Sequence, residues 1–99
     1  MDLNQIPLER NISKSRFEML VEEHYAIIMY EMLNDHTINL YHTEVDPALE
    51  GKGVGRAIVI KTLEYCRVHG LKVLPSCPYI SKFILKHPEW QDIVVSSQE

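Results

Sequence analysis

Three of the four glycines in this 99-residue chain stand within five positions, at Gly51, Gly53 and Gly55. They separate two stretches of different character. Ahead of them apolar and polar residues alternate, as in strands. Behind them residues 56–69 hold good helix formers without proline or glycine and stop at Gly70. Glycines between a strand and a helix let the backbone turn sharply and approach a ligand closely. The first amides of the helix have no acceptor and lie at the positive end of its dipole, so a pyrophosphate fits there. A glycine-rich turn that only caps the helix is the plainer alternative. Two nucleotide motifs are excluded: no Gly-x-Gly-x-x-Gly opens a parallel strand–helix–strand unit, and no Gly-Lys-Ser/Thr follows.

The flanking segments define the architecture. Residues 15–22 alternate, with Phe17, Met19 and Val21 on one face and Arg16, Glu18 and Glu22 on the other, which predicts a half-buried strand. Residues 25–33 are apolar on both faces and suit a more central strand. Residues 37–45 form a third, with Ile38, Leu40, His42 and Glu44 expected on one face. Short turns at Glu23-His24 and Asn34-Asp35 make the three an antiparallel meander. Pro47 ends it. The helix at 56–69 should be covered on most of its surface, and residues 71–74 form a short buried strand. Pro78 can open a second helix through Lys86, with Ile80, Phe83 and Ile84 toward the core. Trp90 is expected as a lid on the small core. Residues 1–14 read as a flexible lead-in and 15–95 as a single domain. The fold class is α+β: a mixed, mainly antiparallel sheet, with the meander followed by β–loop–α–β–α and two main helices.

Composition narrows the function. With 45% hydrophobic and 24% charged residues the chain is an ordinary soluble one, and nothing resembles a signal peptide or membrane span, so a cytoplasmic protein is expected. A net charge of −4 argues against nucleic acid as a partner. Residues 1–46 carry nine acids and three bases, whereas residues 47–99 carry five acids and seven bases, so an anionic ligand suits the second half better. Cys66 and Cys77 are too few for a disulfide scaffold, and the scattered histidines have no metal-ligand rhythm, so no metal is expected.

The run Val45-Asp46-Pro47-Ala48-Leu49-Glu50-Gly51-Lys52-Gly53-Val54-Gly55 resembles the acetyl-coenzyme A pyrophosphate loop of the GNAT acetyltransferase superfamily, Gln/Arg-x-x-Gly-x-Gly/Ala after a Val-x-Pro strand end. His42-Thr43-Glu44-Val45, Leu74-Pro75-Ser76-Cys77-Pro78-Tyr79 and His87-Pro88-Glu89-Trp90 are similar to the minimal branch of that superfamily, whose substrates are largely unassigned. The resemblance covers about residues 15–95. It implies a sheet splayed after the third strand, with acetyl-coenzyme A in the gap. Backbone around Thr43 and Val45 would pair with the pantetheine arm. Gly51, Lys52, Gly53, Val54, Gly55 and Arg56 would cradle the pyrophosphate, Lys52 and Arg56 adding charge. Glu50 departs from the pattern, standing where the superfamily has Gln or Arg. The implied activity is acetyl transfer from coenzyme A to a primary amine on a protein or small molecule. The alternative is a coenzyme A-binding module without turnover that acts as a sensor or partner protein. A monomer or homodimer is expected.

Four residues are candidates for the chemistry. Cys77 stands just before a helix, the setting that favours a thiolate. Three roles are open to it: nucleophile, proton donor to the departing thiolate, or a small buried hydrophobe. His42 or Glu44 could deprotonate the amine, directly or through water. The alternatives are a hydrogen bond within the sheet for His42 and an ion pair with a nearby Lys or Arg for Glu44, and the second is the plainer role for Glu44 alone. Tyr79 could protonate the leaving thiolate, the role that resemblance to the superfamily implies, or simply pack. Cys66 is expected in the core, and Lys82 and Lys86 on a solvated face.

Overall fold

In the computed structural model, which describes residues 2–95, five strands form one sheet in the order β1–β2–β3–β4–β5. They are β1 (Glu9–Asn11), β2 (Arg16–Val21), β3 (His24–Asn34), β4 (Thr37–Val45) and β5 (Lys72–Pro75). The first four are antiparallel, and β5 lies parallel to β4. A parallel neighbour needs a long crossover, and helix α1 (Val54–Val68) supplies it. Helix α2 (Pro78–Lys86) follows β5, and 3-10 turns occupy Leu3–Gln5, Pro47–Leu49 and Pro88–Ile93. The expected α+β class and meander are therefore present. The β2–β3 turn places Glu22 at φ 50° and Glu23 at φ 70°. Left-handed backbone at both turn positions matches the twist of a tight hairpin, but glutamate is not the residue that usually signals it.

Helices cover only one face of the sheet. Phe17, Met19 and Val21 of β2, Ala26, Ile28 and Tyr30 of β3, and Ile38 and Leu40 of β4 are all buried in a cluster with Ile58, Val59, Leu63 and Cys66 of α1 and Ile80 and Ile84 of α2. Tyr25, Ile27 and Met29 lie on the other face and stay partly exposed, so β3 is central in order without being covered on both sides. Helix α1 is covered on most of its surface as expected, with Arg56, Glu64 and Arg67 exposed, and Val68, 80% exposed, is the apolar exception. Trp90 closes the core at 7% exposure, with the Arg67 guanidinium 4.3 Å from its ring centroid.

Residues 2–14 differ from the expected flexible lead-in. They hold the Leu3–Gln5 turn and β1, which pairs with β2 through Arg10↔Phe17. Arg10 reaches across the sheet, its Nε donating to Tyr30 Oη at 3.0 Å and its Nη1 to Tyr65 Oη at 3.1 Å. The tripeptide Glu-Arg-Asn has no apolar periodicity to announce a strand. Its anchors are aromatic residues that lie 20 and 55 positions away.

Candidate functional site

The site begins with an irregularity in β4. Met29 pairs with His42 and Tyr30 with Leu40, so Tyr41 is an extra residue, a β-bulge. One extra residue reverses the alternation beyond it. Ile38 and Leu40 point into the core, while His42 and Glu44 are exposed on the uncovered face. The expectation that all four share a face fails for that reason. Thr43 and Val45 instead take the helix side, Val45 packing against the core cluster.

The bulge also sets which backbone groups are free. Asp46 N donates to Tyr25 O at 3.1 Å, so by the antiparallel alternation His42 and Glu44 exchange bonds with β3. Thr43 and Val45 then turn their N–H and C=O groups outward. On that side β5 pairs only with Thr37 to Leu40, and the last link is Cys77 N to Leu40 O at 3.0 Å. The strands part there, leaving the edge of β4 from 41 to 45 open beside α2.

The glycine loop closes the other side of this gap. Asp46 caps the Pro47–Leu49 turn, accepting from Ala48 N at 2.9 Å, and that bond, aided by His24, holds its carboxyl below the ordinary carboxylate range. Gly51 and Gly53 have φ of 79° and 76°, and a side chain at either would project into open space. Their glycine is thus required by backbone conformation. The first bond of α1 runs from Ala57 N to Gly53 O at 3.0 Å, which leaves the amides of Val54, Gly55 and Arg56 without an acceptor in the helix.

Between β4, the loop and α2 lies a cleft of about 380 Å³. Of the eight residues expected at the cofactor, it brings together Thr43, Val45, Gly51, Gly53, Val54, Gly55 and Arg56. Lys52 stands apart, its ammonium 2.8 Å from Glu22 Oε1, and this pairing lowers the Glu22 pKa. Leu49 and Glu50 also line the cleft. Leu49 had no chemical signal in the sequence, and Glu50 stood out only as a departure from a pattern.

The four candidates for chemistry fall in two places. Tyr79 lines the cleft, 48% exposed, with its hydroxyl 2.9 Å from the point where a Cβ on Gly55 would stand. Cys77 precedes α2 as its N-cap residue and is only 5% exposed. Its Sγ lies 3.4 Å from Thr43 Oγ1, so the hydroxyl of a cleft residue is its polar neighbour. His42 and Glu44 are on the opposite face, with Nε2 and Oε2 3.4 Å apart. The structure thus places Thr43 and Tyr79 on the cleft, links Cys77 to it only through Thr43, and pairs His42 with Glu44 across the sheet from it. Cys66 is fully buried, and burial pushes its thiol up to about 12. Among the described residues no three His, Cys, Asp or Glu side chains gather as a metal site, and no helix is long and apolar enough to cross a membrane.

Residues 16–93 match the GCN5-related N-acetyl-transferase family. The chain belongs to that family. It is 30% identical over 63 residues to Protein NATD1 of Xenopus tropicalis, a stretch covering 64% of this chain and 58% of that protein. Against Protein NATD1 of Homo sapiens the identity is again 30% over 63 residues, covering 64% of this chain and 56% of the relative. The match therefore spans under two thirds of those relatives. The solution NMR structure of a GCN5-like protein from Staphylococcus aureus superposes with a TM-score of 0.68 at 25% identity, covering 92% of this chain and 89% of that one.

Proposed function

We propose that this chain is an acetyl-coenzyme A-dependent N-acetyltransferase acting on a primary amine. The observation that carries the reading is the cleft itself. Free helix-start amides at Val54, Gly55 and Arg56 face the same space as the outward backbone of Thr43 and Val45. The amides suit a pyrophosphate, and an open strand edge suits an arm built from amides. Such a set of residues fits coenzyme A, which would supply the acetyl group as an activated thioester. Tyr79 Oη and the Thr43–Cys77 pair hold protons on the cleft side, where a departing thiolate needs one. The His42–Glu44 pair offers an imidazole and a carboxylate on the uncovered face, open to an approaching ammonium that must lose its proton.

A second reading, coenzyme A binding without turnover, is favoured by two observations. Cys77 is buried, and the His42–Glu44 pair is across the sheet from the cleft. One experiment separates the two: incubation with acetyl-coenzyme A and a panel of amines, following free thiol release and the intact mass of the protein. Turnover supports the transferase. Thermal stabilisation by the ligand without thiol release supports the binding module. At a hundredfold excess over Kd the ligand should add about 2.7 kcal/mol. No stabilisation at millimolar ligand rejects both. A ~42 Da adduct removed by hydroxylamine and absent in Cys77→Ala would make Cys77 the nucleophile.

A further inference from the structure

A hollow of about 490 Å³ lies beside the bulge of β4, lined by Ser15, Tyr30, Glu31, Met32, Asn39 and Tyr41. It shares no residue with the cleft. Glu31 of β3 pairs with Asn39 of β4, and Tyr30 and Ile38 just before them are buried in the core. Alternation therefore puts Glu31 and Asn39 on the uncovered face, which also carries the His42–Glu44 pair. His42 pairs with Met29, two residues before Glu31. That is about 7 Å along the strand and one strand across, so the backbones of His42 and Glu31 are roughly 8 Å apart.

The chemistry of the hollow is one-sided. No lysine, arginine or histidine lines it. Glu31 is exposed and has no ion-pair partner among the described residues, unlike Glu18 and Glu44 on the same face. Asn39 Oδ1 is buried without a hydrogen-bond partner, so turning that carbonyl toward a donor in the hollow breaks no bond of its own. Tyr41, the extra residue of the bulge, is 43% exposed and adds an aromatic ring to the wall. A lone carboxylate, an amide carbonyl and an aromatic ring suit an alkylammonium. An anion would meet only the charge of Glu31.

We propose that this hollow holds the second ammonium of a diamine acceptor while the first stands at His42 and Glu44, which makes Glu31 the residue that selects diamines over monoamines. The proposal rests on the reading of the chain as a transferase. The distal ammonium keeps its proton against Glu31. The reacting end gives one proton to the His42–Glu44 pair, and its nitrogen lone pair then forms the amide bond to the acetyl carbon. The carbon–sulfur bond breaks, and the second proton lost from nitrogen balances the thiolate that leaves. The products are a monoacetylated diamine, a free thiol and one proton. Glu89, exposed on the Pro88–Ile93 turn, lines neither the cleft nor the hollow, and it is the control.

The test is acetyl transfer to putrescine and to n-butylamine, which have the same carbon chain with and without the second nitrogen. Free thiol release from acetyl-coenzyme A is followed in wild type, Glu31→Gln and Glu89→Gln at one ionic strength, and circular dichroism checks that each variant is folded. Wild type should favour putrescine in kcat/KM by about five- to tenfold. In Glu31→Gln the ratio should fall to about two, the statistical value for two equivalent ends, through a higher KM for putrescine at unchanged kcat. The same variant should treat n-butylamine as wild type does, and Glu89→Gln should keep the full preference. The proposal is overturned if wild type shows no more than the statistical ratio, if Glu31→Gln keeps the preference or slows both amines equally, or if Glu89→Gln loses it. Failure of both amines to react also overturns it, and the transferase reading survives that result if another amine of the panel releases thiol.

Discussion

Two glycines of the loop, two positions apart, should respond in opposite ways to the same substitution. Gly53 has φ 76°, and a Cβ there would meet nothing within 4 Å. The penalty for Gly53→Ala is purely conformational, about 1–2 kcal/mol for a left-handed L-residue. The unfolded chain loses entropy with the change, which returns about 0.4–1 kcal/mol. A net loss of roughly 1 kcal/mol should lower Tm by about 4–8 °C in a domain of this size. Gly55 is the second residue of α1 and has no positive φ. Alanine is favoured there by up to about 1 kcal/mol. The opposing contact is the Tyr79 hydroxyl, 2.9 Å from the new Cβ, but that side chain is 48% exposed and can swing outward. Gly55→Ala should therefore melt at or slightly above wild type by far-UV circular dichroism. Both variants should lose stabilisation by acetyl-coenzyme A, one by filling the cradle and the other by displacing Tyr79 from the wall of the cleft. A Gly53→Ala protein that melts at or above wild type would refute the argument from backbone conformation.

Three further outcomes follow from side-chain environments. Thr62 is fully buried in α1 and its Oγ1 has no partner among the described residues, so Thr62→Val should add about 1–2 kcal/mol, seen as a higher urea midpoint at unchanged m; a lower midpoint would mean the hydroxyl is bonded. Glu18 is held by hydrogen bonds from Arg16 (Nε at 2.5 Å) and Asn11 (3.1 Å), which lower its carboxyl pKa from the ordinary 4.5. Its contribution is then complete above 4.5 and lost as pH falls through the lower folded value, so Glu18→Gln should flatten acid unfolding in that window; an unchanged acid limb would remove Glu18 from the account. Glu50 places a carboxylate in a cleft suited to an anion, and Glu50→Gln should tighten coenzyme A by about two- to fivefold at low salt and less at high salt. Weaker binding in this variant would show that the carboxylate makes a contact of its own.

Much of this molecule is readable without coordinates, and the reason is locality. The alternation of Phe17, Met19 and Val21, the clean limits of residues 37–45 and the helix formers behind Gly55 each report on their own few neighbours. The glycine loop is readable too, because a strand-to-helix turn at Gly51 and Gly53 is set by backbone conformation that few other residues tolerate. Nine of the ten residues that line the cleft are drawn from the strand, that loop and the first turn of α1.

What the tertiary structure decided lies between segments. Nothing within residues 37–45 marks Tyr41 as the extra residue; the bulge exists only in register with β3, and it moves His42 and Glu44 to the face away from the cleft. Strand β1 is defined by its pairing with β2 and by Arg10 reaching Tyr30 and Tyr65. Lys52 looks like a phosphate ligand until the hairpin brings Glu22 to within 2.8 Å of it. Thr43 and Cys77, 34 residues apart, meet because β5 leaves β4 at Leu40 and α2 starts there. Periodicity and turn chemistry act over a few residues, so a sequence states them directly. Register, facing and charge pairing are settled by the partner across the gap, and only the folded chain says which partner that is.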